Sequence, residues 1–208
     1  MLIPIVVIII VTSTLIEILL ILFLRKSKNR ENGAKEYVEG FGYKYIGYDK
    51  EFEQHIKTGI AKYYPTLRGY HLSVSNVFLN ENDEEKRLYF EMHVSSRNYY
   101  QKYFCMLIKE IDLSVSEVAI VPRDFFSKMF ISKKNAFIKL FILKPKNTID
   151  NLPYELKEQL MNFRSVGVVY KDKQLLISKP YSHKELPIEA LRICEEVYEY
   201  IKAYLRVS

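Results

Sequence analysis

Residues 1–24 carry a single charged side chain, Glu17, among Leu, Ile, Val and Phe. At about 1.5 Å per residue a helix of this length reaches roughly 36 Å, enough for a hydrocarbon core of about 30 Å with some tilt. Ile and Val are mediocre helix formers in water, but inside lipid the backbone must satisfy its own hydrogen bonds, which leaves the helix as the only single span. Pro4 falls in the first turn, where a missing N–H is harmless. The pattern therefore predicts a transmembrane helix over 1–24. A cleaved signal peptide fits less well, because no basic residue precedes the run, the run is longer than a usual apolar signal core, and no small-x-small site follows Leu24.

Beyond a polar, charged stretch at 25–36 that contains Gly33, apolar periodicity returns and changes in stages. Asp49 as N-cap, Glu51 and Glu53 in the first turn, and Phe52, Ile56, Ile60 and Tyr63 at helical spacing predict a helix that Pro65 stops. From His71 the period is two. His71–Leu79 places Leu72, Val74 and Phe78 on one face, and Arg87–Ser96 places Leu88, Phe90, Met92 and Val94 inward. Tyr99–Ile111 follows with Phe104, Met106 and Ile108, so the three segments read as an antiparallel meander. Glu117–Val121 is a short apolar strand ended by Pro122, Arg123–Asn135 is a helical turn or an ordered loop, and Ala136–Leu143 reads as a strand with both faces covered. Asp150 caps a helix running through Phe163, with Leu152, Leu156 and Leu160 on its stripe. Val166–Tyr170 and Leu175–Ser178 make a hairpin. A last helix from about Pro187 to Arg206 buries Ala190, Cys194, Val197, Ile201 and Leu205.

Charge sharpens the first pattern. Arg25-Lys26-Ser27-Lys28-Asn29-Arg30 follows the apolar run directly, and the excess of Lys and Arg on that side predicts an outward N-terminus and a cytoplasmic C-terminal domain. With Glu17 the one charge in the span, the formal net charge beyond it is one unit above the chain's +6, and Arg25, Lys26, Lys28 and Arg30 suit contact with anionic lipid. Glu17 itself is expected to be protonated or to snorkel, bonded to Ser13. The competing reading is self-association of membrane helices through Thr14 and Glu17.

Recognisable chemistry is scarce. Two cysteines are too few for a disulfide scaffold, and Cys105 and Cys194 both fall on apolar faces, where a thiol is inert. No phosphate-binding glycine loop, His-Glu-x-x-His, Cys-x-x-Cys or Gly-x-Ser-x-Gly occurs, and His55, His71, His93 and His183 lack ligand spacing. Gly40-Phe41-Gly42-Tyr43, Ser75-Asn76-Val77 and Val121-Pro122-Arg123 stand out as local motifs without a specific chemistry. Tyr89, Glu91 and His93 share one strand face; a carboxylate beside an imidazole can bind a metal or move protons, but alternation alone predicts a solvated face. Tyr43-Lys44-Tyr45 and Tyr99-Tyr100-Gln101-Lys102-Tyr103 interleave rings with cations as base stacking requires, although tyrosine also fills strands. Lys133-Lys134 and Lys144-Pro145-Lys146 are read as solvated basic surface.

The expected fold class is α+β. An N-terminal transmembrane helix (1–24) and a basic juxtamembrane linker (25–36) precede a cytoplasmic domain (37–208) of antiparallel sheet packed with about three helices. The expected function is that of a single-pass cell-membrane protein whose domain binds a partner protein or the membrane surface. The bilayer is its first partner, through residues 1–24, and no catalytic, cofactor-binding or metal residue is assigned. A membrane-tethered nucleic-acid binder and an enzyme centred on Glu91 and His93 are the less favoured alternatives.

Overall fold

The alternating segments join into one eight-stranded sheet, antiparallel throughout. The computed structural model describes Lys35, Glu39 and residues 42–206 apart from 60–69, 81–84, 98, 124–134, 147 and 182–186. The chain divides into two compact units, Met1–Phe41 and Gly42–Ser208. Of the first, Lys35 and Glu39 are helical, with Nζ and Oε1 3.9 Å apart. The expected transmembrane helix, the basic cluster that follows it, and Lys133-Lys134 lie outside the described residues. Among the described residues no helix is long and apolar enough to cross a membrane.

The strands are β1 (Tyr43–Gly47), β2 (His71–Asn80), β3 (Leu88–Ser96), β4 (Tyr99–Ile108), β5 (Val118–Pro122), β6 (Phe141–Lys144), β7 (Gly167–Lys171) and β8 (Gln174–Tyr181). Their order across the sheet is β1-β2-β3-β4-β8-β7-β5-β6. The helices are α1 (Lys50–Thr58), α2 (Ala136–Leu140), α3 (Thr148–Asn151), α4 (Tyr154–Asn162) and α5 (Pro187–Leu205). The α+β class is thus observed, with three longer helices and two single turns among the described residues of Gly42–Ser208.

Both faces of the sheet are covered, though by different elements. On one face, Phe52 and Ile56 of α1 close over Val74, Phe90, Met92, Val94, Cys105 and Leu107. The Asp49 carboxylate accepts from the Phe52 N–H at 3.0 Å and starts that helix. Phe52 meets Phe90 edge to face at 5.0 Å, and Phe90 has no exposed surface. On the opposite face α5 crosses β4 and β8, and Cys194 is buried where its thiol points at the Phe104 carbonyl, 3.9 Å away. All five residues expected on the inner stripe of α5 are buried.

That second cover corrects the reading of Tyr89, Glu91 and His93 as a solvated face. Tyr89 is 1% and Glu91 9% exposed, and His93 is half-buried. Polar alternation had no way of reporting that a helix a hundred residues later lies over the same side. The Tyr89 hydroxyl donates to the Glu195 carboxylate on α5, which also accepts from Arg87. Burial first, and then the Glu195 charge, push the Tyr89 phenol upward, so it remains a donor. Glu195→Ala removes that buried hydroxyl's carboxylate acceptor and is expected to lose about 2 kcal/mol in urea denaturation. A double-mutant cycle with Tyr89→Phe should return a coupling of about 1 kcal/mol or more; strictly additive losses would show that α5 does not depend on this contact.

Four local expectations are revised. Ala136–Leu143 is not one strand: the Asn135 side chain accepts from the N–H groups of Phe137 and Ile138, which starts a helical turn before β6. Phe137 then packs on Phe141 at 4.8 Å. The helix expected from Asp150 to Phe163 is interrupted at Pro153, which cannot supply an N–H within a helix, giving α3 and α4. The Tyr43-Lys44-Tyr45 segment forms the edge strand β1, which adds an eighth strand to the seven expected. In β2 a bulge between Ser75 and Phe78 carries Asn76 at φ 51°, so Leu72, Val74 and Val77 face α1 while Phe78 turns to the other side.

Candidate functional site

The bulge in β2 aims Asn76 at the one buried carboxylate of β3. Glu91 stands opposite Ser75 on β2 and Phe104 on β4, and the next residue of β4 on that face, Lys102, pairs with both His93 and Tyr181 of β8. Four adjacent strands therefore converge on Glu91. The Tyr181 hydroxyl, itself buried, donates to Oε1 at 2.5 Å, and the Asn76 amide donates to Oε2 at 3.1 Å. The Asn76 oxygen in turn accepts from the Tyr45 hydroxyl at 3.2 Å. Asn tolerates the left-handed backbone that this placement needs far better than a β-branched residue does.

His93 completes the cluster. Its Nε2 is 3.5 Å from Glu91 Oε2 and 3.1 Å from Ser75 Oγ, and its Nδ1 is 3.2 Å from the Tyr100 hydroxyl. Burial acts to raise the Glu91 carboxyl, but donation from His93 and Tyr181 and the charges of Lys102 and His93 outweigh it, so its pKa lies below the ordinary 4.5. Glu91 is a carboxylate that the fold keeps ionised.

The sequence pair Glu91 and His93 is thus brought together, whereas Tyr89 belongs to the α5 contact. Tyr181, Asn76, Ser75 and Tyr45 were not assigned from sequence. The doubled polar pair Ser75-Asn76, which breaks the period of two in β2, is the signal that marks the bulge. Nothing local marks Tyr181, since its role depends on β8 lying beside β4. The remaining candidates are structural. His55 reaches Gln174 Oε1 at 2.9 Å, and Arg123 Nε donates to the Ile138 and Phe141 carbonyls at 2.9 and 3.1 Å. His71 lies exposed at the start of β2, and His183 lies outside the described residues. Cys105 and Cys194 are buried with their thiols pushed upward by burial, which leaves them unreactive.

The geometry limits the chemistry. A nucleophile–histidine–carboxylate relay needs the hydroxyl and the acid on opposite ring nitrogens. Here Ser75 and Glu91 share one corner of the imidazole and the other nitrogen faces Tyr100. A general base also needs a pKa near the working pH, and Glu91 is moved the other way. Among the described residues no group of three or more His, Cys, Asp and Glu side chains is placed to hold a metal ion. The cluster is suited to holding a fixed charge and a half-exposed imidazole in place.

Tyrosines of the two Tyr/Lys segments mostly pack. Tyr43 meets Tyr89 edge-on at 5.0 Å, Tyr45 lies on Phe78 at 5.2 Å, and Tyr99 lies on Tyr70 at 5.2 Å. Tyr99 and Tyr100 nevertheless remain 41% and 54% exposed. No protein-family model, curated protein or solved structure matches this chain.

Proposed function

We propose that this chain is a single-pass membrane protein whose α+β domain is a binding module on the cytoplasmic side, for a partner protein or for the membrane surface. The observation that carries the reading is in the sequence: 24 residues with Glu17 as their one charge, followed at once by Arg25, Lys26, Lys28 and Arg30. In this reading residues 1–24 span the bilayer, the N-terminus faces outward and the basic residues rest at the inner leaflet. The domain geometry supports binding over turnover, because the polar cluster on β2, β3, β4 and β8 holds its carboxylate ionised and supplied with donors. An enzyme at Glu91 and His93 has less support for the same reason. A tethered nucleic-acid binder has less support because Tyr43 and Tyr45 pack on Tyr89 and Phe78, and the exposed rings of Tyr99 and Tyr100 point to opposite faces.

Alkaline carbonate extraction of membranes from cells expressing the full chain tests the anchor. The protein is expected to stay in the pellet, and a chain lacking residues 1–24 to move to the supernatant. Protease added outside sealed cells should leave the domain intact until lysis. Full-length protein recovered in the carbonate supernatant would overturn the reading.

A further inference from the structure

Charge is segregated along the domain. Residues 54–80, 92–109 and 173–184 contain no Asp or Glu, although the chain has 25 of them, and all four histidines fall within these runs. The strand order brings parts of the three runs together. β2 begins at His71, β3 and β4 meet beyond Ser96 and Tyr99, and β8 ends at Tyr181; His71 pairs with Ser95, His93 with Lys102, and Lys102 with Tyr181. One end of the sheet therefore collects His71, His93, Arg97, Lys102 and Lys179. The two nearby carboxylates are buried and engaged inward, Glu53 with Lys57 and the Val74 N–H, Glu91 with Tyr181 and Asn76. Among the described residues, the charged side chains that reach the surface at this end are the cations Arg97, Lys102 and Lys179.

We infer that this sheet end, with the β3–β4 turn at its tip, docks on the anionic leaflet of the membrane that residues 1–24 enter, an inference that rests on the single-pass reading above. Charge complementarity is the first argument: Arg97 is exposed at the tip, and basic residues are drawn to an anionic surface within about a Debye length, roughly 8 Å. Tether length is the second. Residues 25–41 separate the span from Gly42, a contour of at most about 60 Å, so the domain is always near the bilayer.

The rings decide between a bilayer and a nucleic-acid strand. Tyr99 and Tyr100 are consecutive, so they point to opposite faces of the hairpin, Tyr99 toward Tyr70 and Tyr100 toward His93. A row of stacked bases needs exposed rings on one face. Rings splayed to both sides of a cationic tip, each with a polar hydroxyl, suit the headgroup layer, where tyrosine concentrates.

The chain contains no Trp, so Tyr100→Trp gives a single reporter at an exposed position. Full-length protein carrying it is reconstituted into phosphatidylcholine bilayers with and without phosphatidylserine, both containing brominated acyl chains that quench tryptophan on contact. Quenching is expected only with phosphatidylserine, and it should be relieved at about 1 M salt, where the Debye length falls to about 3 Å. Arg97→Ala should weaken docking about fivefold. Tyr154→Trp, at an exposed site on α4 outside the three runs that lack Asp and Glu, should stay unquenched in both bilayers. Equal emission from the Tyr100→Trp protein in both bilayers, or equal quenching of the Tyr154→Trp protein, overturns the docking surface. A response to a single-stranded oligonucleotide without one to phosphatidylserine assigns the surface to nucleic acid instead. Carbonate treatment of the same proteoliposomes keeps the two proposals apart: chain stripped into the supernatant means the anchor has failed, whereas retained but unquenched chain means only the docking has.

Discussion

Glu91→Ala is expected to destabilise the domain by about 3 kcal/mol or more in urea denaturation at neutral pH. The substitution leaves the buried Tyr181 hydroxyl without its acceptor, releases the Asn76 amide at a left-handed backbone position, and removes the carboxylate from beside His93. Glu91→Gln keeps the shape and one acceptor oxygen, and should lose roughly half as much. The pH dependence has a definite sign. The folded-state pKa is below 4.5, so the stabilisation is fully present above that value and is lost as pH falls through the lower folded value. The stability gap between wild type and Glu91→Gln should therefore be widest near neutrality and narrow below about pH 4.5. A gap that stayed constant through acid titration would show that the carboxylate charge contributes nothing to the fold.

Phe90→Ala should have an effect of similar or larger size on the other face, about 3–5 kcal/mol. Phe90 is fully buried and is the ring against which α1 sets Phe52. Truncation leaves a cavity between a short helix and a rigid sheet, and the sheet cannot collapse to fill it. For a domain of this size that corresponds to a fall in melting temperature of about 10 °C. Phe90→Leu, which keeps most of the volume, should lose much less. A loss below about 1 kcal/mol for the alanine variant would mean that α1 is not held by this face.

The strands of the meander were legible because apolar residues alternate along one face of each, from Leu72 and Val74 to Phe104 and Met106, with the Ser75-Asn76 pair of β2 as the one break. The edge strand β1 was not, since Tyr-Lys-Tyr-Ile-Gly is too short and too evenly mixed to fix a period. Ala136–Leu143 misled for a different reason: its composition suits a strand, but the Asn135 side chain satisfies two backbone donors and commits the first turn to helix. The Glu91–His93 pair was visible at a spacing of two, yet its burial was not. Its partners come from neighbouring strands, Asn76 from the β2 bulge and the closest donor, Tyr181, through a register between β4 and β8 that no local pattern encodes. Long-range pairing is where single-sequence reading stops.

The strand order has a consequence for synthesis. β4 sits in the middle of the finished sheet, with Phe104 to Ile108 buried on both sides, yet its second neighbour β8 is among the last strands to be made. At roughly 5–20 residues per second the emerging chain holds an unpaired, wholly apolar strand edge open for several seconds. Misassembly between nascent copies is thus concentrated in that interval, before the carboxyl-terminal hairpin inserts and closes the gap.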